Sequence, residues 1–318
     1  MSELTTVPVE PGMEQPNAKL VEKAKGGRRT KRLTRGQLVF RRFLRNKTAV
    51  FGAAGIIFLV FLALFGSTFL YWKFDDIDIY SFLTPPNSSH LLGTTQAGRD
   101  VLALTVRGLG KSLLIGFLVA LMSTSIAALV GASAAYLGGW YERAMLWIID
   151  LLLVVPSFFL IAVASRGAPE GDAAWMLLVV LLAAFAWPLS ARVVRSLTLS
   201  IREREYVLAA KFMGLSAFRI IVRHILPNAS SLLIIDATLG VGYAILSETG
   251  LSYFGFGVQA PDTSLGTLIG EGARMATTYP WIFLGPATIL VFLVMCVNAI
   301  GDGLRDALDP SSASGGQA

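Results

Sequence analysis

The chain has 318 residues, of which 54% are hydrophobic and 15% charged, and its mean hydropathy is +0.63. That balance excludes an ordinary water-soluble domain and assigns the protein to a bilayer. The formal charge of +6 is uneven: residues 23–47 carry eleven Lys and Arg and no acid, so the rest of the chain stands at −5.

Residues 1–34 are expected to form a disordered, basic cytoplasmic tail, and residues 35–48 an amphipathic lead into the membrane. A span needs about 20 apolar residues to cross roughly 30 Å of hydrocarbon. Windows of that kind fall at residues 49–71, 112–137, 144–164, 174–188, 230–250 and 281–300. The expected fold class is therefore an all-α membrane protein with six transmembrane helices, filling residues 49–309, with a second disordered tail over 310–318. Pro156 should kink the third span, and Trp187 and Pro188 close the short fourth. The first apolar run exceeds a signal-peptide core and is expected to direct insertion itself. Cys296 is the single cysteine and excludes an intrachain disulfide.

Positive residues beside a span are retained in the cytoplasm. The basic arm thus puts the amino terminus inside, and an even number of spans returns the carboxyl terminus to the same side. Residues 192–228 then also fall inside, and their seven Lys and Arg against two Glu agree with that placement. Residues 73–100 and 251–280, on the other side, are neutral to acidic.

Within this apolar chain, residues 202–228 form a polar island, REREYVLAAKFMGLSAFRIIVRHILPN. Glu205, Ala209 and Met213 recur at helical spacing, with Ala210 beside them. Past Gly214, residues Phe218, Ile221, Val222 and Ile225 share a second helical stripe, flanked by Arg219 and Arg223. Gly214 suits the positive φ that ends a helix, Ser216 suits a cap, and Pro227 supplies a stop. An interfacial helix on anionic lipid would need neither paired alanines nor a central glycine. Small residues where backbones approach favour a docked protein partner.

Three acids lie inside the spans, where each costs roughly 2.5 to 3.5 kcal/mol at the bilayer centre and faces protein or water. Asp150 and Asp236 sit at similar depth from the cytoplasmic side. Either they pair with Arg143, Arg192 or Arg195 and pin the bundle, or they line a translocation path. Glu248, near the outer end of the fifth span, shares those two readings and can also cap the loop 252–257.

Other patterns carry no chemistry. Gly110-Lys111-Ser112 imitates the end of a phosphate loop, but Thr105 stands where the first glycine belongs and no strand precedes it. Gly255, Gly257 and Ala260 match a dinucleotide fingerprint outside any βαβ context. His90 and His224 fall on opposite sides of the membrane, so no metal site is expected, and no Ser/His/Asp set comes together. Neither a resident enzyme activity nor a nucleic-acid partner is expected.

Glu205, Ala209-Ala210, Gly214 and Ile225-Leu226-Pro227 resemble the EAA loop of ABC importer permeases. Further landmarks are similar to the C-type permease subunit of dipeptide and oligopeptide importers. They are the lead RRFLRNK at 41–47, HLLGT at 90–94 with GRD at 98–100, YLGGW at 136–140, LSYFGFG at 251–257 and GDGLRDALDP at 301–310. Two departures, Thr95 in place of an acid and LSYFGFG in place of LSFLGLG, lie outside and bear on substrate preference.

The resemblance covers about residues 35–310 and implies a type I importer fold. It implies a sibling permease, two ATPase subunits that bind the ATP and Mg this chain has no cofactor site for, and an extracytoplasmic peptide-binding protein. It casts the island as the coupling helix, with Glu205, Ala209, Ala210, Gly214 and Pro227 as its contact residues. Dipeptides or oligopeptides are the implied cargo, with nickel, glutathione or haem as alternatives. A reading from another class is an ion-coupled secondary carrier in which Asp150 and Asp236 bind the ion.

Overall fold

The computed structural model describes residues 35–165 and 172–308, so the tails expected over 1–34 and 310–318 lie outside the described residues. The chain divides into Met1–Leu38 and Val39–Ala318, and every span belongs to the second unit.

Helix α1 (Arg35–Arg45) is the expected amphipathic lead. Asn46 then caps α2 (Lys47–Phe69), its side-chain oxygen accepting from the Ala49 N–H at 3.2 Å. Residues 70–100 form a loop that ends at Asp100, which caps α3 (Val101–Leu137) by accepting from the Ala103 N–H at 2.7 Å. This cap starts the second span at Val101 rather than at residue 112. The cations Arg107 and Lys111 thereby enter the helix, and both are matched by Asp262.

Gly138 and Gly139 adopt φ of +67° and +62°, a left-handed pair that turns the chain tightly into α4 (Gly139–Val154). Pro156 separates α4 from α5 (Ser157–Ser165), and the two helices meet at 78°. The expected kink is thus a break. Helix α6 (Asp172–Arg202) runs through Pro188 instead of ending there. One proline removes one backbone hydrogen bond, and packing along α3 outweighs that loss.

The island yields α7 (Glu205–Phe212), α8 (Ala217–Ile220) and a wide π turn (Ile221–Ile225), which runs directly into α9 (Leu226–Tyr253). Helix α10 (Leu265–Ala273) and helix α11 (Pro280–Leu308) complete the chain. Among the described residues five helices are long and apolar enough to cross a membrane, and the bent pair α4–α5, if it is one span, makes six.

Helix α3 is the axis of the bundle: α6 packs along one side of it and α9 along another, while α11 lies against α2. Helices in lipid gain little from burying apolar surface and associate where small residues let backbones meet. A Cβ added to Gly116 would stand 2.5 Å from Ile245 Cγ1, and one added to Gly131 would stand 2.5 Å from the Ala191 carbonyl oxygen. These glycines set the α3–α9 and α3–α6 distances. At one end of the bundle Asn46 donates to Asp306 at 3.1 Å and Arg202 to the Ala135 carbonyl at 2.5 Å. At the opposite end Trp281 donates to the Thr94 carbonyl at 3.3 Å. The island therefore shares its end of the bundle with the start of α2 and the finish of α11.

Candidate coupling surface and membrane carboxylates

The two alanines of the island face opposite ways. Val207 and Ala210, three residues apart on α7, enter a cluster with Ile201, Ile220, Ile221, Ile225 and Ala229, and Ala210 is 0% exposed. Glu205, Leu208 and Ala209 form the outer face. Gly214 has φ +78°, and around it the Gly214 N–H donates to the Lys211 carbonyl at 3.0 Å and the Leu215 N–H to the Ala210 carbonyl at 3.2 Å. These bonds close α7 and turn the chain into α8.

Ser216 occupies the cap position of α8, but its side chain makes no cap hydrogen bond. The stripe expected over Phe218, Ile221, Val222 and Ile225 divides: Ile221 and Ile225 are buried, whereas Phe218 and Val222 are exposed. A repeat of 3.6 residues per turn would set Phe218 and Ile225, seven apart, only about 20° from each other; the π turn over Ile221–Ile225 widens the spiral and parts them. Pro227 does not stop the helix but sits in the first turn of α9. It has no N–H to return to the preceding turn, and there the ladder widens, with the Leu226 N–H reaching the Ile221 carbonyl.

The result is an apolar ridge around Gly214 in which Phe212, Met213 and Phe218 are 88%, 72% and 71% exposed. Lys211, Arg219 and Arg223, all exposed, flank it. Contiguous exposed apolar surface rimmed by charge marks a contact with another molecule.

The three intramembrane acids have three different settings. Asp150 pairs with Arg192, one of the three arginines considered for it. Among the described residues Asp236 has no arginine partner; it accepts from Thr124 Oγ1 at 3.0 Å and from Ser190 Oγ at 2.6 Å. Arg195 is engaged instead by Glu142. Glu248 is fully buried and accepts from Ser252 at 2.5 Å, Ser264 at 2.7 Å and Ser112 at 3.4 Å. It thus ties α9 to α3 and to Ser264, the cap of α10, rather than to the loop 252–257 as a whole.

Residues 126–313 match the family described as binding-protein-dependent transport system inner membrane component. The chain belongs to that permease family. Residues 34–86 match the N-terminal transmembrane domain of oligopeptide transport permease C. The permease is 53% identical over 281 residues to an oligopeptide transport system permease protein OppC of Mycobacterium tuberculosis, covering 88% of this chain and 96% of that one. It is 39% identical over 272 residues to a putative peptide permease of Brucella suis, with 85% and 89% covered. To an OppC permease of Bacillus subtilis it is 34% identical over 269 residues, with 85% and 87% covered.

The permease is a multi-pass protein of the inner membrane, and the family match spans the island and all three acids. Two features of the permease were not read from its sequence. His90 is held between two carboxylates of the 70–100 loop: Nδ1 lies 2.9 Å from Asp100 and Nε2 3.4 Å from Asp78. Its ring stacks on Trp72 at 4.9 Å. The backbone N–H of Tyr80, then Ser81 and His90, hold the Asp78 carboxyl below its ordinary value. The second feature is the use of Gly110-Lys111-Ser112. Lys111 pairs with Asp262 and lies 4.4 Å over the Trp175 ring, and Ser112 serves Glu248 while accepting from the Leu265 N–H at 3.1 Å.

Proposed function

We propose that this permease is the membrane subunit of an ATP-driven importer of oligopeptides, and that the ridge around Gly214 docks into a separate ATPase subunit. The exposed ridge on a firmly anchored loop is the observation that carries this reading. Val207 and Ala210 fix α7 to the core while Ala209, Phe212, Met213 and Phe218 face out. Rigid anchoring is what a force-transmitting contact requires, because a loose loop would absorb the displacement.

Two routes lead from the ridge into the membrane. Residues 203–204 join α7 to α6, and α8 passes through the π turn into α9 as one helical path ending at Tyr253. Both α6 and α9 lie on α3. A push on Phe218 therefore moves the helix that bears Asp236 and Glu248, and closure of an ATPase pair would rock the spans as rigid bodies. The basic arm at residues 23–47 supports a cytoplasmic amino terminus, with the island and the carboxyl terminus on the same side. The ATP and Mg would be bound by two ATPase subunits, a sibling permease would complete the path, and an extracytoplasmic peptide-binding protein would deliver cargo. Oligopeptides are favoured as cargo by the names of the relatives.

The test uses the complete importer in membranes. Ala209→Asp, or Gly214→Trp, should leave the permease in the membrane, keep ATP hydrolysis and abolish peptide uptake. Uptake at the level of the unaltered protein would refute the coupling role, and peptide flux by this chain reconstituted alone would refute the dependence on an ATPase.

A further inference from the structure

Asp236 carries a negative charge in the middle of α9 whose partners are both neutral. Thr124 and Ser190 each donate a hydroxyl to it, and among the described residues it has no ion-pair partner. Hydroxyl bonds compensate part of the lost hydration of a carboxylate, not its charge. A carboxylate left in that state within a span faces a path or a ligand by default.

Asp236 lines a cavity of about 330 Å³ bounded by α3, α4, α6 and α9. That is near the lower end of ligand sites, which run from about 300 to 1,000 Å³. Its polar lining is Ser123, Thr124 and Ser190 with Asp236, and its apolar lining includes Phe185 and Tyr243. A bare metal ion needs a shell of oxygens on all sides. One anion, several hydroxyls and aromatic walls instead suit an ammonium group carried on an apolar body.

We propose that this cavity is a transit site for the primary ammonium group of the cargo peptide, held by Asp236 with Thr124 and Ser190 as supports. The inference rests on the reading of the chain as a peptide importer permease. The α-ammonium and a lysine side chain offer the same chemistry. Because α9 continues directly from the island, a displacement of the ridge reaches Asp236 along one helix, which gives the site a means of release.

The complete importer, with its ATPases and binding protein, is reconstituted in vesicles, and uptake per ATP hydrolysed is measured for labelled tripeptides. The peptides have a free or an acetylated amino terminus, with or without one lysine, and the binding protein's affinity for each is determined separately. Asp236→Asn, which keeps acceptor oxygen and shape, should lower the uptake of free-amine peptides about tenfold, the value of one charge-assisted hydrogen bond. Acetylated peptides without lysine should be unaffected, and Asp236→Glu should restore the preference. A preference that survives in acetylated lysine peptides assigns the contact to the side chain, and one that vanishes there assigns it to the α-ammonium; both uphold the site. An equal loss for all peptides overturns it while leaving the importer reading intact. Absence of uptake of any peptide by the unaltered importer refutes that reading and the site with it. On the unaltered protein, a photoreactive group beside the peptide's amino terminus should label α3, α6 or α9 around Thr124, Ser190 and Asp236, and labelling confined to residues away from this cavity would also overturn the proposal.

Discussion

Ala209 and Ala210 adjoin in sequence, yet an aspartate should have opposite effects at the two positions. Ala210 is 0% exposed and packs among Val207, Ile220 and Ile225. A carboxylate there meets no cation in that cluster. Keeping it protonated at pH 7 means raising its pKa from about 3.9 by some three units, at 1.36 kcal/mol each, or about 4 kcal/mol. Overpacking adds about 1–3 kcal/mol. A single-domain stability of about 5–15 kcal/mol leaves little after such a loss. Ala209 is exposed, and a surface substitution stays within about 0.5 kcal/mol. Thermal unfolding of the permease purified in detergent without its ATPase subunits, followed by size-exclusion chromatography, separates the two. Ala210→Asp should lower the midpoint sharply or prevent assembly, while Ala209→Asp should melt with the unaltered protein and lose only coupling. Equal midpoints, or a lower one for Ala209→Asp, would refute the division of the pair into an anchor and a contact.

Glu248→Ala leaves the hydroxyls of Ser112, Ser252 and Ser264 without their common acceptor; at about 1–3 kcal/mol per unsatisfied buried group, the complex should melt well below the unaltered one, and Glu248→Gln should recover much of the difference. Indistinguishable melting of Glu248→Ala would remove the hub. Gly116→Val places a side chain against Ile245 and should cost about 1–3 kcal/mol by forcing α3 from α9, whereas Gly110→Ala, whose nearest neighbour is Ala63 at 3.7 Å, should be tolerated. The lowered Asp78 carboxyl gives a pH dependence of defined sign. Its contribution is complete above the ordinary value of 3.8 and disappears as pH falls through the lower folded value. Limited proteolysis of the 70–100 loop should accelerate only in acid, below about pH 4, and acceleration near neutrality would assign the effect to another group.

Hydropathy located the spans because about 20 apolar residues are needed whatever they pack against. It could not locate their ends. The Asp100 cap starts α3 about three turns before residue 112, and packing on α3 carries α6 past Pro188, and hydropathy reports neither effect. Pro156 and Pro188 are both prolines in apolar windows, yet only the first breaks its helix. In the island, the glycine break followed from Gly214 alone. The facing of Phe218 did not, because a stripe at i, i+3, i+4 and i+7 assumes 3.6 residues per turn, and the π turn over Ile221–Ile225 breaks that period. The partners of the acids depend on contacts between residues far apart in sequence. Ser112 and Ser264 meet at Glu248 only because α3, α9 and α10 converge there.

The three acids show how one membrane cost is met in three ways, and the differences assign their roles. Asp150 is half-exposed and neutralised by Arg192; a pair of that kind is worth little to stability and needs no further ligand. Glu248 is closed off on every side, with three hydroxyls filling its acceptor sites, so no solute reaches it and its work is to hold α10 against α3 and α9. Asp236 has the neutral partners of the second without its enclosure, since it is half-buried and lines a cavity, and it lacks the cation of the first. Its charge is the one that a passing cation can satisfy, and it stands on the helix that the island would move. If the site binds too tightly, transport stalls. Two hydroxyls that hold the carboxylate when the cation departs offset part of the cost of the unoccupied state, so the cargo is passed on rather than retained.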